Sequence, residues 1–240
     1  MAELFILLAC LHLLMDYHLQ PESLARGKAR GLPGLMLHLL IAGLVLAVPL
    51  LWRRDLWRVS MVVWLSHVAL DGLKWLLGAG LNRQQSWAEG AGKALYVLDQ
   101  VAHLLALWLA VRWLAPPDAL AAAQSLPALW LKGTLLCLLC TRPANVSFKQ
   151  LFGAYAPPEE DAAPGRPGAG ALIGSMERLI SLLLLAVGQY AAMGLVLTAK
   201  SIARYDRISK SQGFAEYYLI GTLFSVLWVI VSYLAVTGLL

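Results

Sequence analysis

Three short stretches of the chain set imidazoles and carboxylates one helical repeat apart. "HLLMDYHLQ" carries His12 and Asp16, with Gln20 a turn further on. "HVALDGLKW" carries His67 and Asp71 with Lys74 beside them, and "DQVAH" carries Asp99 and His103 with Gln100 next to the acid. His38 adds a fourth imidazole. Residues i and i+4 lie on one helix face, so each pair presents a nitrogen and a carboxylate in the same direction. Four imidazoles and three carboxylates are a ligand set for one or two divalent transition-metal ions. Zinc is expected first, then iron or manganese. Such an ion lowers the pKa of a bound water to about 7, which points to metal-assisted hydrolysis. Asp71, Asp99 or Lys74 would then be the catalytic acid or base.

The elements that must position these groups read as membrane helices. The 240 residues are 60% hydrophobic and only 14% charged, against about 25% charged in soluble domains. Mean hydropathy is +0.68. Apolar runs recur near residues 3–19, 33–52, 57–79, 94–115, 127–141, 172–199 and 215–239. They are continuous rather than alternating, which excludes a barrel and predicts an all-α polytopic bundle of six or seven transmembrane helices. The first run has Glu3 and no basic start, so it is expected to be a membrane helix and not a signal peptide. Four helices over 1–115 would form the His/Asp-bearing core. A short apolar helix and basic loop over 116–155, re-entrant or spanning, would follow. A Pro/Gly linker over 156–171 would lead to a C-terminal pair of helices over 172–240. Basic residues fall on both sides under either topology and do not set the orientation.

The order of the pairs matters. Helices one and three run the same way and read His then Asp; helix four runs back and reads Asp then His. The three histidines therefore share a depth, with the aspartates about 6 Å along the axis. His38 lies towards the same end. Ionisable groups this deep are costly unless paired, and so mark function. The plainer alternative is that each pair is hydrogen-bonded glue between helices. His18 falls off the stripe and is expected at the interface.

A second, cationic group lies near the C-terminal helices: Glu177, Arg178, Lys200, Arg204 and Glu216. It reads either as lipid-anchoring helix ends or as a grip on an anionic, phosphate-bearing substrate. Gln20 and Gln100 would add polar substrate contacts. The net charge of +5 is that of basic loop ends and not of a nucleic-acid binder. The three cysteines lie in apolar runs, and "CLLC" reads as packing. Neither HExxH nor GxSxG occurs.

The hallmark segments "HLLMDYHLQ", "HVALDGLK" and "DQVAH" resemble those of a bacterial family of small multi-pass membrane proteins catalogued as a domain of unknown function. The resemblance covers about residues 5–110. It implies that His12, Asp16, Gln20, His38, His67, Asp71, Lys74, Asp99, Gln100 and His103 belong together, and it assigns no activity. The expectation is a membrane-embedded metal-dependent hydrolase, in the bacterial inner membrane, acting on an anionic lipid-linked substrate. Its partners would be membrane lipid and, by self-association, further copies of the chain. A divalent-metal or proton-coupled transporter is the rival, and a non-catalytic assembly subunit the third reading.

Overall fold

The computed structural model of the chain describes residues 1–81, 88–157 and 168–239, which are helical throughout apart from short connections. The chain divides into two compact units, Met1–Leu135 and Leu136–Leu240.

The first unit is built around α1 (Ala2–Leu13), which runs on into a π-helical turn, Leu14–His18. Its sequence is apolar on every side, and Leu4, Ile6, Leu8 and Leu13 are all buried, as expected of a central helix. α1 packs on α3 (Leu32–Trp52), α5 (Ala88–Leu114) and α6 (Pro117–Gln124), while α4 (Trp57–Leu81) lies between α3 and α5. The core joins Leu4 and Leu8 to Ala42, Leu46, Val63 and Leu107. Gly43 lets the Trp64 indole approach; a Cβ there would sit 3.0 Å from its ring nitrogen. That nitrogen donates to the Leu39 carbonyl at 3.0 Å, tying α4 to α3. At the α3–α4 turn, Arg53 Nε donates to Asp55 Oδ1 at 3.0 Å. This contact holds the Asp55 carboxyl below its ordinary range.

α3 shows why this unit suits a bilayer. Met36, Leu40, Leu44 and Val48, one turn apart, are between 49% and 65% exposed. Leu35, Leu39, Ala42 and Leu46 face the core. An exposed stripe this long and apolar fits lipid, not water.

α2 (Glu22–Arg30) lies between the first two apolar runs of the sequence. It is an amphipathic helix: Leu24, Gly27 and Lys28 face inwards, and Glu22, Ser23, Ala25 and Arg26 face out. It folds back on the start of α3 at a crossing made by glycine. A Cβ on Gly34 would lie 2.2 Å from the Gly27 carbonyl carbon.

Among the described residues, four helices are long and apolar enough to cross a membrane: Leu32–Trp52, Gly90–Leu114, Ala169–Ala186 and Gln212–Gly238. Counting two pairs bent by 88°, Ala2–His18 with Glu22–Lys28 and Pro117–Gln124 with Ala128–Tyr155, raises the number to six. An integral membrane protein with an all-α bundle is the result. α4 has 25 residues, but its apolar run is diluted by the polar groups of the site.

The unit boundary falls inside α7 (Ala128–Leu139), whose 12 residues rise only about 18 Å. The second unit continues with α8 (Arg142–Phe152), α9 (Ala169–Ala186), α10 (Tyr190–Ile202), α11 (Tyr205–Lys210) and α12 (Gln212–Leu234). The stretch 172–199, expected as one span, is instead a hairpin. Gly188, at φ +72°, breaks it between α9 and α10. Lys200 returns to pair with Glu177 at 2.6 Å. Phe148, Tyr217 and Phe224 pack together where Gly221 leaves room for the Phe148 ring. Of the expected linker over 156–171, residues 158–167 lie outside the described residues.

Candidate metal centre

α1, α3, α4 and α5 each deliver one imidazole to the middle of the first unit. His12, His38, His67 and His103 are between 0% and 4% exposed, so they are shielded from solvent and lipid alike. Ring centroids lie 4.6 Å apart for His67 and His103, and 5.2 Å apart for both His12–His103 and His38–His67. The structure thus brings together the four imidazoles expected to converge.

The carboxylates do not form a separate layer 6 Å away, because their side chains reach back to the imidazoles. Asp71 Oδ2 lies 3.1 Å from His38 Nε2 and 3.3 Å from His67 Nε2, and those two nitrogens are 3.1 Å apart. Asp16 Oδ1 also lies near that edge, 3.5 Å from His38 Nε2 and 3.4 Å from His67 Nε2. Tetrahedral zinc with bonds of about 2.0–2.1 Å spaces its ligand atoms about 3.3–3.4 Å apart. Each triangle therefore has the dimensions of one face of such a site. A three-ligand face with one open position is the pattern of catalytic zinc.

The hydrogen bonding of the remaining groups is incomplete. Within their own helices, His12 and Asp16 stand 3.7 Å apart and His103 and Asp99 stand 3.6 Å apart, too far for hydrogen bonds. Glue between helices would satisfy its members. Here His12 Nε2, His103 Nε2, and Nδ1 of both His38 and His67 are buried without a protein hydrogen-bond partner. His103 Nδ1 lies 2.8 Å from the Asp99 carbonyl oxygen, which can only accept. Nδ1 therefore carries a proton, and in the neutral imidazole Nε2 keeps the lone pair.

Two lysines flank the cluster. Lys74 Nζ donates to Asp99 Oδ2 at 2.6 Å, where Gln100 Nε2 also donates, at 3.0 Å. Lys28 Nζ, from α2, donates to Asp71 Oδ2 at 2.6 Å. The motif spacing of the sequence does not single out Lys28. The signal was present in the inward spacing of Leu24, Gly27 and Lys28, but the short polar stretch reads as a loop. Tyr17 and Tyr96 close one side through a 3.0 Å contact between hydroxyls. Gln20 lies just beyond the π-helical turn, half-buried.

The C-terminal residues belong to the second unit. The Arg178 guanidinium is buried and committed to protein acceptors: Nε to the Cys140 carbonyl at 2.7 Å and Nη2 to Asn145 Oδ1 at 2.6 Å. That makes it a brace between α8 and α9 and leaves it little to offer a substrate. Glu216 is exposed and accepts from Gln212. Lys200, Arg204 and Glu177 line an open cleft of about 520 Å³ with Arg207, Asp206 and Ile173.

The model of one protein family matches residues 4–126, more than half of the chain and every member of the His/Asp cluster. The chain belongs to the DUF3307 family, proteins of unknown function. The matched segment ends close to the boundary of the first unit, so the family's shared part and the cluster coincide. Neither a curated protein nor a solved structure matches the chain.

Proposed function

We propose that this protein is a metal-dependent hydrolase of the bacterial inner membrane, acting on an anionic, lipid-linked substrate. The observation that carries the reading is the buried triangle of His38 Nε2, His67 Nε2 and Asp71 Oδ2, with sides of 3.1–3.3 Å. These three would hold a divalent ion, zinc by the spacing, with Asp16 Oδ1 also within 3.5 Å of both imidazole nitrogens. When bound, such an ion polarises a carbonyl or phosphoryl oxygen and activates water. Asp71, whose Oδ2 faces both imidazoles, is a ligand in this reading and not a free base. His103, with Nε2 unprotonated, accepts the proton, and Asp99 holds its ring. Lys28 and Lys74 are partly exposed cations paired with Asp71 and Asp99, and an anionic head would meet them first.

The test is metal analysis of the full chain purified in detergent, followed by turnover of phospholipids and polyprenyl phosphates. We expect about one zinc per chain in the wild type and loss of both metal and turnover in His67→Ala. A wild type without bound metal after purification in zinc-supplemented buffer would end the reading.

One observation favours a divalent-metal transporter. Asp16 sits on the π-helical turn Leu14–His18, followed by an 88° bend into α2. Interrupted helices beside an ion site are typical of transporters. Zinc uptake into proteoliposomes that is lost in Asp71→Asn, with no lipid turnover, would select this alternative.

A further inference from the structure

Lys28 is more than a neighbour of the cluster, because it occupies the oxygen a metal would take. Its ammonium lies 2.6 Å from Asp71 Oδ2, the atom that completes the triangle with His38 and His67. An ion bonded to that oxygen at about 2.0–2.2 Å would stand within roughly 5 Å of the ammonium, close enough to repel it strongly in a buried site. The charge count leads the same way. With the imidazoles neutral, as metal ligation requires, Asp16, Asp71 and Asp99 against Lys28 and Lys74 leave a single net negative charge. A dication added with both lysines in place would overshoot to a net positive charge. Release of Lys28 restores neutrality, which a buried polar site favours.

We infer that Lys28 is an internal counterion that a divalent metal displaces from Asp71, and that it determines the selectivity of the site for dications. A monovalent ion replacing Lys28 exchanges one positive charge for another and gains nothing electrostatically. Only a dication brings the charge that makes the exchange favourable. The placement of Lys28 allows this. It lies on the inner face of a surface helix and is 17% exposed, so its flexible stem can carry the ammonium outwards while α2 stays seated at Gly34. Lys74 differs, since Asp99 Oδ2 is not part of the triangle, and it keeps its partner. This inference rests on the metal reading above.

Two measurements on the full-length, detergent-purified protein test it. In the first, amine acylation of the wild type is followed by mass spectrometry with and without Zn²⁺. Labelling of Lys28 should rise several-fold with Zn²⁺ while that of Lys74 stays constant; unchanged or reduced labelling of Lys28 overturns the inference. In the second, Zn²⁺ affinity is measured by competition with a chromophoric chelator. Lys28→Met should bind about tenfold tighter or better, a gain of about 1.4 kcal/mol, whereas Lys28→Arg, which keeps the charge, should stay near wild type. Equal or weaker binding by Lys28→Met overturns the inference and leaves the metal reading standing. Zn²⁺ binding by neither the wild type nor a folded Lys28→Met overturns both.

Discussion

At the scale of single residues, the cluster sorts into groups with separable roles. His38 and His67 share the 3.1 Å edge common to both triangles, so in the proposed site each would be indispensable to a bound ion. Alanine at either position should weaken Zn²⁺ binding on the order of 100-fold or more, since even outer partners of metal ligands are worth 10–100-fold. His103 lies in the same layer but holds its proton on Nδ1 against a carbonyl. His103→Gln should keep the metal and lose most turnover, a split that metal analysis and kinetics on one sample would reveal. Arg178 makes the opposite prediction. Arg178→Met strands the Cys140 carbonyl and Asn145 Oδ1, at roughly 1–3 kcal/mol for each buried acceptor left unpaired. Thermal unfolding should therefore shift downwards while zinc content stays at the wild-type level.

At the scale of elements, α2 and the π-helical turn separate this bundle from a simple set of antiparallel spans. α2 rests on α3 through backbone contact at Gly27 and Gly34, where no side chain fits. Gly34→Val places carbon where the Gly27 carbonyl and the Lys28 amide already lie, so α2 must move off α3. Trypsin should then cut faster at Arg26, which is exposed but protected by helical backbone. Loss of the Lys28–Asp71 contact follows, and the variant should share the tighter Zn²⁺ binding of Lys28→Met. The hairpin of α9 and α10 shows how a single backbone requirement redirects a span. The residues before and after Gly188 are apolar enough to read as one helix, yet its positive φ turns the chain.

At the scale of the whole molecule, the candidate site lies entirely within the first unit. Chelation of a bound ion should remove about 2.7 kcal/mol of stability if the ion had been present at 100 times its dissociation constant. Hydrogen exchange is the measurement. Protection should fall in α3, α4 and the π-helical turn Leu14–His18, which carry the proposed ligands, and remain unchanged in α9 to α12. Uniform loss of protection along the chain would contradict the confinement of the site to the first unit. The exposed apolar stripes, such as Met36, Leu40 and Leu44, also require detergent or lipid in every such experiment.

By itself the sequence determined the all-helical membrane architecture and the meeting of His12, His38, His67 and His103. Both follow from local rules: apolar run length specifies the helices, and the i, i+4 pairs with alternating helix direction specify depth. Only the tertiary structure decided how the carboxylates fold back on the imidazoles, since a side chain's reach depends on its neighbours and not on its position in the chain. The contact of Lys28 with Asp71 depended on that too, because it rests on a glycine crossing between two helices. So did the commitment of Arg178, whose partners lie more than thirty residues away. Periodicity reports which face a residue occupies; only packing reports what that face meets.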